Sequence, residues 1–338
     1  TAETAGKSFI DTGRLLRALG LGLFNPLLLK DVLFRRNSGN PVLNLRYLLE
    51  DQVQNHKRLD WETFLKRQQT SNVDRKHKHQ PLKVVASAMA SERPIVMNFD
   101  DQHFTTLEEL AQCMRASCLL PGIAGPVANI LLKRSKLPTA EKFVFRNNFQ
   151  DPDYEPLADS LIYAPIPYEV ALDDGATQLV VLRSKPDGAD VIGNGGGLGE
   201  KLVWTRFFLR KNKLGKIYKR LKQQLHKRLY AQNLLELNEA AHIMETPAES
   251  VYPQSRLPPT LTVALPSKFE EIARLEADRQ AIFEGVRNGF ARAYDALVED
   301  PKERGKGYEV AKIYFPDEIL DYSPLEMLEH SVASENED

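Results

Sequence analysis

Apolar residues recur at helical spacing through residues 8 to 68. The stretch "FIDTGRLLRAL" fits a helix that Asp11 or Thr12 could cap, "NLRYLLEDQVQNH" continues the pattern, and "LDWETFLKRQQ" adds a third segment behind Asp60. The polar "SNVDRKHKHQ" then breaks the period. "LKVVASAMA", from Leu82, is a short continuous apolar run, the mark of a strand buried on both faces. "PIVMNF" predicts a second strand, and "TTLEELAQCMRASC" a helix with Thr105 or Thr106 as its cap. Pro121, Gly122, Gly125 and Pro126 break "LPGIAGPVANILL". "KFVFRN" and "TQLVVLRS" predict further strands. From Pro156, "PLADSLIYAPIPYEVALDDG" reads as an irregular turn, then Ile-Pro, then a short helix. Strands thus alternate with helices, which predicts an α/β layered fold with a largely parallel sheet.

Residues 184 to 199, "SKPDGADVIGNGGGLG", predict a glycine-rich surface loop, and "METPAESVYPQSRLPP" a second loop. "TLTVAL" fits a short strand. "SKFEEIARLEADRQAIFEGVRNGFARAYDALVED" fits one long helix opened by a capping box of Ser267 and Glu270. Its expected apolar face is Phe269, Ile272, Leu275, Ile282, Val286, Phe290, Tyr294 and Leu297. The terminal "SENED" fits a disordered acidic tail. No internal repeat is visible.

Composition narrows the class. The 338 residues are 42% hydrophobic and 27% charged, with a formal net charge of −1. That length supports a large core, and the near-zero charge excludes a wholesale nucleic-acid binder. Cys113 and Cys118 are the only cysteines, too few for a disulfide framework or a four-thiolate zinc site. Both read as buried free thiols of an intracellular protein, cytoplasmic or peripheral to a membrane. The apolar "LLRALGLGLFNPLLL", Leu15 to Leu29, is interrupted and too short to span a bilayer.

Several apparent motifs carry no chemistry. "AGKS" at Ala5 to Ser8 has Thr1 where a phosphate-binding loop needs glycine, with no strand before it. "GNGGGLG" fits no register of the dinucleotide pattern and sits in a loop. His77 and His79 lie among Lys and Arg, which repel a cation, and His103 and His226 have no ligand spacing. Neither a metal nor an organic cofactor is expected.

The run from Lys201 to Arg228 holds eleven Lys or Arg and no acid. Leu214, Ile217, Tyr218, Leu221, Leu225 and Leu229 share one helical face, with cations elsewhere. Such a helix can lie on an anionic lipid surface or lipid droplet through Lys216, Lys219 and Lys222. It can equally pack its apolar stripe on the domain, the commoner use of an amphipathic helix.

Three stretches together resemble the C-terminal part of a patatin-like phospholipase domain: "PLKVVASAMASERPIVMNF", "LEELAQCMRASCLLPGIAGPV" and "PLADSLIYAPIPYEVALDDGATQLVVLRSKP". In that family a helix ends in Arg-Ala-Ser before a Pro turn, as Arg115, Ala116 and Ser117 do here. A catalytic Asp then precedes Ile-Pro or Asn-Pro, a helix with a Gly-Ala end, and a buried strand. Ile166 and Pro167, Gly175 and Ala176, and "LVVLRS" match these elements in order. The resemblance covers roughly residues 8 to 185.

By spacing to Ile166-Pro167, the resemblance assigns the catalytic Asp to Asp159, in Asp-Ser-Leu rather than Asp-Gly-Gly. Asp174, in Asp-Gly-Ala, is the runner-up, because it matches the motif by letters. A plain turn or cap role for Asp159 is the alternative. The resemblance implies a three-layer patatin-like fold, incomplete at its N-terminus, with a mostly parallel central sheet flanked by helices. Residues 1–188 would form the C-terminal portion of that domain, and 189–258 the glycine-rich loop and basic segment. Residues 259–330 would add a strand and long helix, and 331–338 the tail. It also implies a Ser–Asp acyl hydrolase, a phospholipase or triacylglycerol lipase, acting on phospholipid or acylglycerol. No serine stands in G-x-S-x-G, so the nucleophile is expected ahead of Thr1. The alternative is a non-catalytic lipid-surface or interaction module.

Overall fold

The computed structural model describes Leu45, Leu49 and residues 59–70, 81–119, 127–131, 143–146, 154–193, 205, 214–245, 257–267, 269, 272, 276 and 278–321. The expected helix near Asp11, the "HKH" stretch, the turn at Pro121 and the acidic tail lie outside these residues. The chain divides into two compact units. One comprises Ser8–Pro167 and Ile192–Gln232; the other comprises Thr1–Lys7, Tyr168–Val191 and Asn233–Asp338.

In the first unit, helix α1 spans Trp61–Thr70 and starts where Asp60 accepts a hydrogen bond from Thr63 N at 3.1 Å. Strand β1, Val84–Ala88, is buried at every position, as its unbroken apolar run requires. Strand β2, Arg93–Met97, pairs antiparallel with it. The intervening turn is held by the buried Glu155, whose Oε1 accepts from Ala90 N at 2.7 Å and Ser91 N at 3.1 Å. Helix α2, Leu107–Ser117, is capped by Thr106, which accepts from Glu109 N at 3.2 Å. Three strands follow: β3 (Val127–Leu131), β4 (Phe143–Arg146) and β5 (Tyr154–Ala158).

The sheet order is β2-β1-β5-β3-β4, and every pair in it is antiparallel. The expectation of a largely parallel central sheet is therefore wrong. A parallel neighbour needs a crossover of about a dozen residues or more, and β1 turns directly into β2 through Met89–Glu92. Two of the strands also escaped the pattern. β3 was hidden behind the Pro- and Gly-rich stretch of the sequence. β5 carries Pro156, which lacks the N–H that an interior strand normally uses. Pro156 still contributes its carbonyl, which accepts from Met89 N at 2.8 Å.

Neighbouring residues of β5 enter different clusters. Leu157 joins Val84, Ala86, Phe104, Leu110 and Ala116, with Trp61 and Phe64 of α1 against them. Ala158 joins Met89, Ile162, Ile217 and Leu221. Successive strand side chains point to opposite faces, so helices cover both faces of the sheet. Ile217 and Leu221 belong to helix α4, Gly215–Lys222. The basic run thus packs its apolar stripe on its own unit. Its pattern does not continue as a single helix: Gln224, with φ of +55°, separates α4 from α5, Leu225–Glu245.

In the second unit, helix α3 (Tyr168–Asp173) precedes strand β6 (Leu179–Leu182). β6 pairs in parallel with β7 (Thr260–Val263), from Leu179 against Thr260 to Leu182 against Val263. β6 is buried on one face only, with Val180 and Leu182 exposed. The long helix begins late. Helix α6 spans Arg279–Leu297 and is capped by Asp278, which accepts from Ala281 N at 2.8 Å. Ser267 sits in a turn instead of capping, with Phe269 N donating to Pro266 O at 3.0 Å. The backbone before it is held elsewhere: Leu265 O accepts from Asp187 N, and Ala264 O from Arg292 Nε. Glu270 lies outside the described residues.

The expected apolar face of α6 is only partly used. Phe290 meets Tyr294, Tyr314 and Phe315, whereas Val286 and Leu297 are exposed. The most deeply buried large side chain of α6 is Arg287. Its guanidinium donates to Phe315 O at 2.8 Å and to Asp317 at 2.7 Å, beyond helix α7 (Gly307–Tyr314).

Candidate functional site around Asp159

Strand β5 ends at Ala158, so Asp159 stands at the C-terminal edge of the central strand of the five-stranded sheet. Its backbone N–H donates to Leu119 O at 2.9 Å, which ties it to the chain just past α2. Its carboxylate caps a 3₁₀ turn, Ser160–Ile162, by accepting from Leu161 N at 2.8 Å. Among the described residues this is the only hydrogen bond to the carboxylate. The turn needs no glycine. Asp159 has φ of −45°, and neither Ser160 nor Leu161 is among the residues with positive φ.

Two groups that the sequence did not single out hold this turn. Ser87, fully buried in β1, donates to Ser160 O at 3.3 Å and accepts from Tyr163 N at 3.1 Å. Arg220 of α4 donates from Nε to Ile162 O at 3.0 Å, and its guanidinium lies 4.6 Å from the centre of the Tyr163 ring. The signal for Ser87 was a single hydroxyl inside "VVASAM". Arg220 gave none beyond its place in a basic run.

Asp159 is half-buried, and burial pushes its carboxyl above the ordinary range, with the Leu161 N–H acting the other way. That direction suits a base, since a carboxylate of higher pKa takes a proton more readily. Cys118 lies close enough to feel this charge. The protein around its sulfur pushes its thiol up, and Asp159 adds to the rise. Cys118 is exposed rather than buried, unlike Cys113, because it follows the last residue of α2. A thiol held protonated in this way is a poor nucleophile.

The other candidate serves its helix. Asp174 is exposed at the end of α3, where Gly175 has φ of +79°. Gly175 N donates to Leu172 O at 2.8 Å and Ala176 N to Ala171 O at 3.0 Å, the paired bonds of a Schellman stop. The Asp-Gly-Ala letters encode a helix end.

Ser117 and Ser87 are not free nucleophiles, since Ser117 Oγ donates to Val85 O at 2.6 Å and Ser87 is engaged as above. His226 is buried, and burial, then Lys227 and Arg220, push its pKa down to about 4. It is therefore neutral at pH 7. No group of three His, Cys, Asp or Glu able to hold a metal occurs among the described residues. Lys216, Lys219 and Lys222 all lie on the exposed side of α4, with Lys216 paired to Glu92 at 2.9 Å. No helix among the described residues is long and apolar enough to cross a membrane.

Compared with family models, curated protein sequences and solved structures, the chain matches none. The site offers one carboxylate at a strand end, partly desolvated and, among the described residues, hydrogen-bonded only by Leu161 N, with the Asp159 backbone tied to Leu119 O. It can accept a proton from a hydroxyl brought to it.

Proposed function

We propose that this chain is the C-terminal part of a lipid acyl hydrolase of patatin type, with Asp159 as the general base. The observation that carries the reading is the placement of Asp159 just past the end of the central strand. There it has a raised pKa and, among the described residues, a single hydrogen bond to its carboxylate. The runner-up, Asp174, is occupied with ending a helix at the surface. The finer architecture, a three-layer patatin-like domain completed by further sequence, belongs to the same proposal.

Such an enzyme works with two residues. A serine hydroxyl attacks the ester carbonyl carbon of a phospholipid or acylglycerol while Asp159 takes its proton. Backbone amides hold the tetrahedral oxyanion. The intermediate collapses, the C–O bond to the alcohol breaks, and Asp159 returns the proton to that alcohol. Water, deprotonated by Asp159, then cleaves the acyl-enzyme, releasing the fatty acid and restoring the serine. The 338 residues contain no G-x-S-x-G, so the serine and oxyanion amides are assigned to sequence outside them. That same lack favours a second reading, a non-catalytic relative.

One experiment separates the two. The natural polypeptide containing this chain is treated with a fluorophosphonate, and the labelled peptide is identified. The enzyme reading expects a labelled serine outside these residues. It also expects ester hydrolysis that falls about 10⁴-fold in Asp159→Asn, as when a serine protease loses its orienting Asp. Asp174→Asn should stay within a few-fold of wild type. No labelling and no hydrolysis would establish the non-catalytic reading. Labelling of a serine within the 338 residues would show that the nucleophile is misassigned.

A further inference from the structure

We propose that the solvent face of α4 and the exposed Leu161 form a docking surface for an anionic phospholipid bilayer, seated beside Asp159. The proposal deepens the hydrolase reading by naming where the substrate surface is met, and it rests on that reading for its purpose.

The two sides of α4 are divided cleanly. Ile217 and Leu221 are buried against Met89, Ala158 and Ile162, so the apolar stripe is already used in folding. It cannot also enter a lipid layer. What remains outward is cationic: Lys216, Lys219 and Lys222 on α4, and Arg228 one turn into α5. Among the described residues Lys216 pairs with Glu92, yet its side chain remains 84% exposed. The surrounding stretch from Lys201 to Arg228 contains no acid, in a chain whose net charge is −1. The positive charge is therefore concentrated locally, as a counter-surface for anions requires.

Leu161 supplies the second element. It is 41% exposed although it belongs to the turn that Asp159 caps. Its backbone N–H is bound to Asp159, and the next carbonyl, Ile162 O, is held by Arg220 of α4. An exposed leucine, a candidate base and a basic helix are thus linked through consecutive residues of one hydrogen-bonded turn. An apolar tip flanked by lysines matches an interface in which cations meet headgroups and a leucine reaches the acyl boundary. Single-stranded nucleic acid would instead be met by exposed aromatic rings for stacking. Among the described residues near this turn, Tyr163 lies under Arg220 and Tyr218 packs into the cluster around Ile217.

The test is co-sedimentation of the intact chain with vesicles of phosphatidylcholine, with or without phosphatidylserine. Binding should require phosphatidylserine and fade as salt shortens the screening length. The variant Lys216→Gln, Lys219→Gln, Lys222→Gln should lose on the order of 100-fold in affinity, at roughly fivefold per cation near an anionic surface. Leu161→Ser should weaken binding at unchanged charge, since its N–H still reaches Asp159. Circular dichroism checks that each variant is folded. Asp159→Asn should not weaken binding, because it removes a negative charge beside the surface, so loss of hydrolysis and loss of docking are read separately. Equal binding to both vesicle types, or unchanged binding by the triple-Gln variant, would overturn the proposal. So would displacement from phosphatidylserine vesicles by single-stranded DNA at equal salt, which would mark a nucleic-acid surface.

Discussion

The backbone N–H of Asp159 donates to the carbonyl of Leu119 at 2.9 Å. This bond joins the chain leaving α2 to the end of β5. Two segments that the resemblance treats as separate signatures are therefore one local structure. The Arg115-Ala116-Ser117 helix end delivers Leu119 to the strand edge, and Ser117 Oγ secures it by donating to Val85 O at 2.6 Å. The position of the carboxylate is thus set by backbone bonds from the chain after α2 and from the turn it caps.

The raised pKa of Asp159 makes a stability prediction with a definite sign. A carboxyl whose folded pKa lies above its unfolded value favours folding when protonated, and that contribution is lost as pH rises through the folded pKa. Asp159→Asn removes the cost of burying the charge and keeps an oxygen to accept from Leu161 N. The variant should therefore be more stable than wild type at pH 7. The difference should vanish as pH falls below the ordinary carboxylate range, where both side chains are neutral. Thermal unfolding across that pH range checks it; a variant less stable than wild type at pH 7 would mean that the carboxylate is stabilised by its surroundings.

Cys118 reports on the same charge. Its thiol is held up first by the protein packed around the sulfur and then by Asp159. Alkylation by iodoacetamide should be slow at neutral pH for an accessible cysteine, with a rate that climbs only above the usual thiol range. In Asp159→Asn the profile should move down in pH, because the opposing charge is gone. Cys113 is buried and should not react in the native state. Identical profiles in the two proteins would place the carboxylate too far from the sulfur to matter.

Gly307, at the start of α7, packs directly on α6. A Cβ at this position would come within 2.2 Å of Ala291 O and 2.9 Å of its carbonyl carbon. Those atoms are helix backbone and cannot rotate away, so α7 would have to shift. Gly307→Ala should destabilise this unit by about 1–3 kcal/mol, the usual range for overpacking. The replacement also gains helix propensity, worth up to about 1 kcal/mol, which the clash must exceed. Chemical denaturation of the variant gives the answer, and an increase in stability would show that the two helices are free to part.

Local signals were legible where a short stretch decides its own conformation. Asp60 and Thr106 cap the helices they were expected to cap, because a side-chain oxygen three residues ahead of a free N–H needs no distant partner. The unbroken apolar run of β1 announced full burial, and the apolar stripe of α4 announced a packed face. The resemblance marked Asp159 as a candidate by its distance to Ile166-Pro167, and the structure shows that residue at a strand end, capping a 3₁₀ turn. Strand direction was not legible in the same way. Antiparallel pairing depends on which strands meet and on how the chain turns between them. β5 was concealed by Pro156, whose missing N–H is tolerated because its carbonyl carries the bond to Met89. The late start of α6 was equally hidden, since Ser267 is a sound local cap that the backbone bonds of Ala264 and Leu265 hold out of the helix. Arg287 was invisible as a core residue, because a buried guanidinium is stable only with Phe315 O, Glu284 and Asp317 around it. The sequence by itself determined caps and apolar runs, which are properties of neighbours along the chain. Tertiary structure alone decided sheet direction, the grip of Ser87 and Arg220 on the Asp159 turn, and the raised pKa, because each depends on atoms brought together from distant positions.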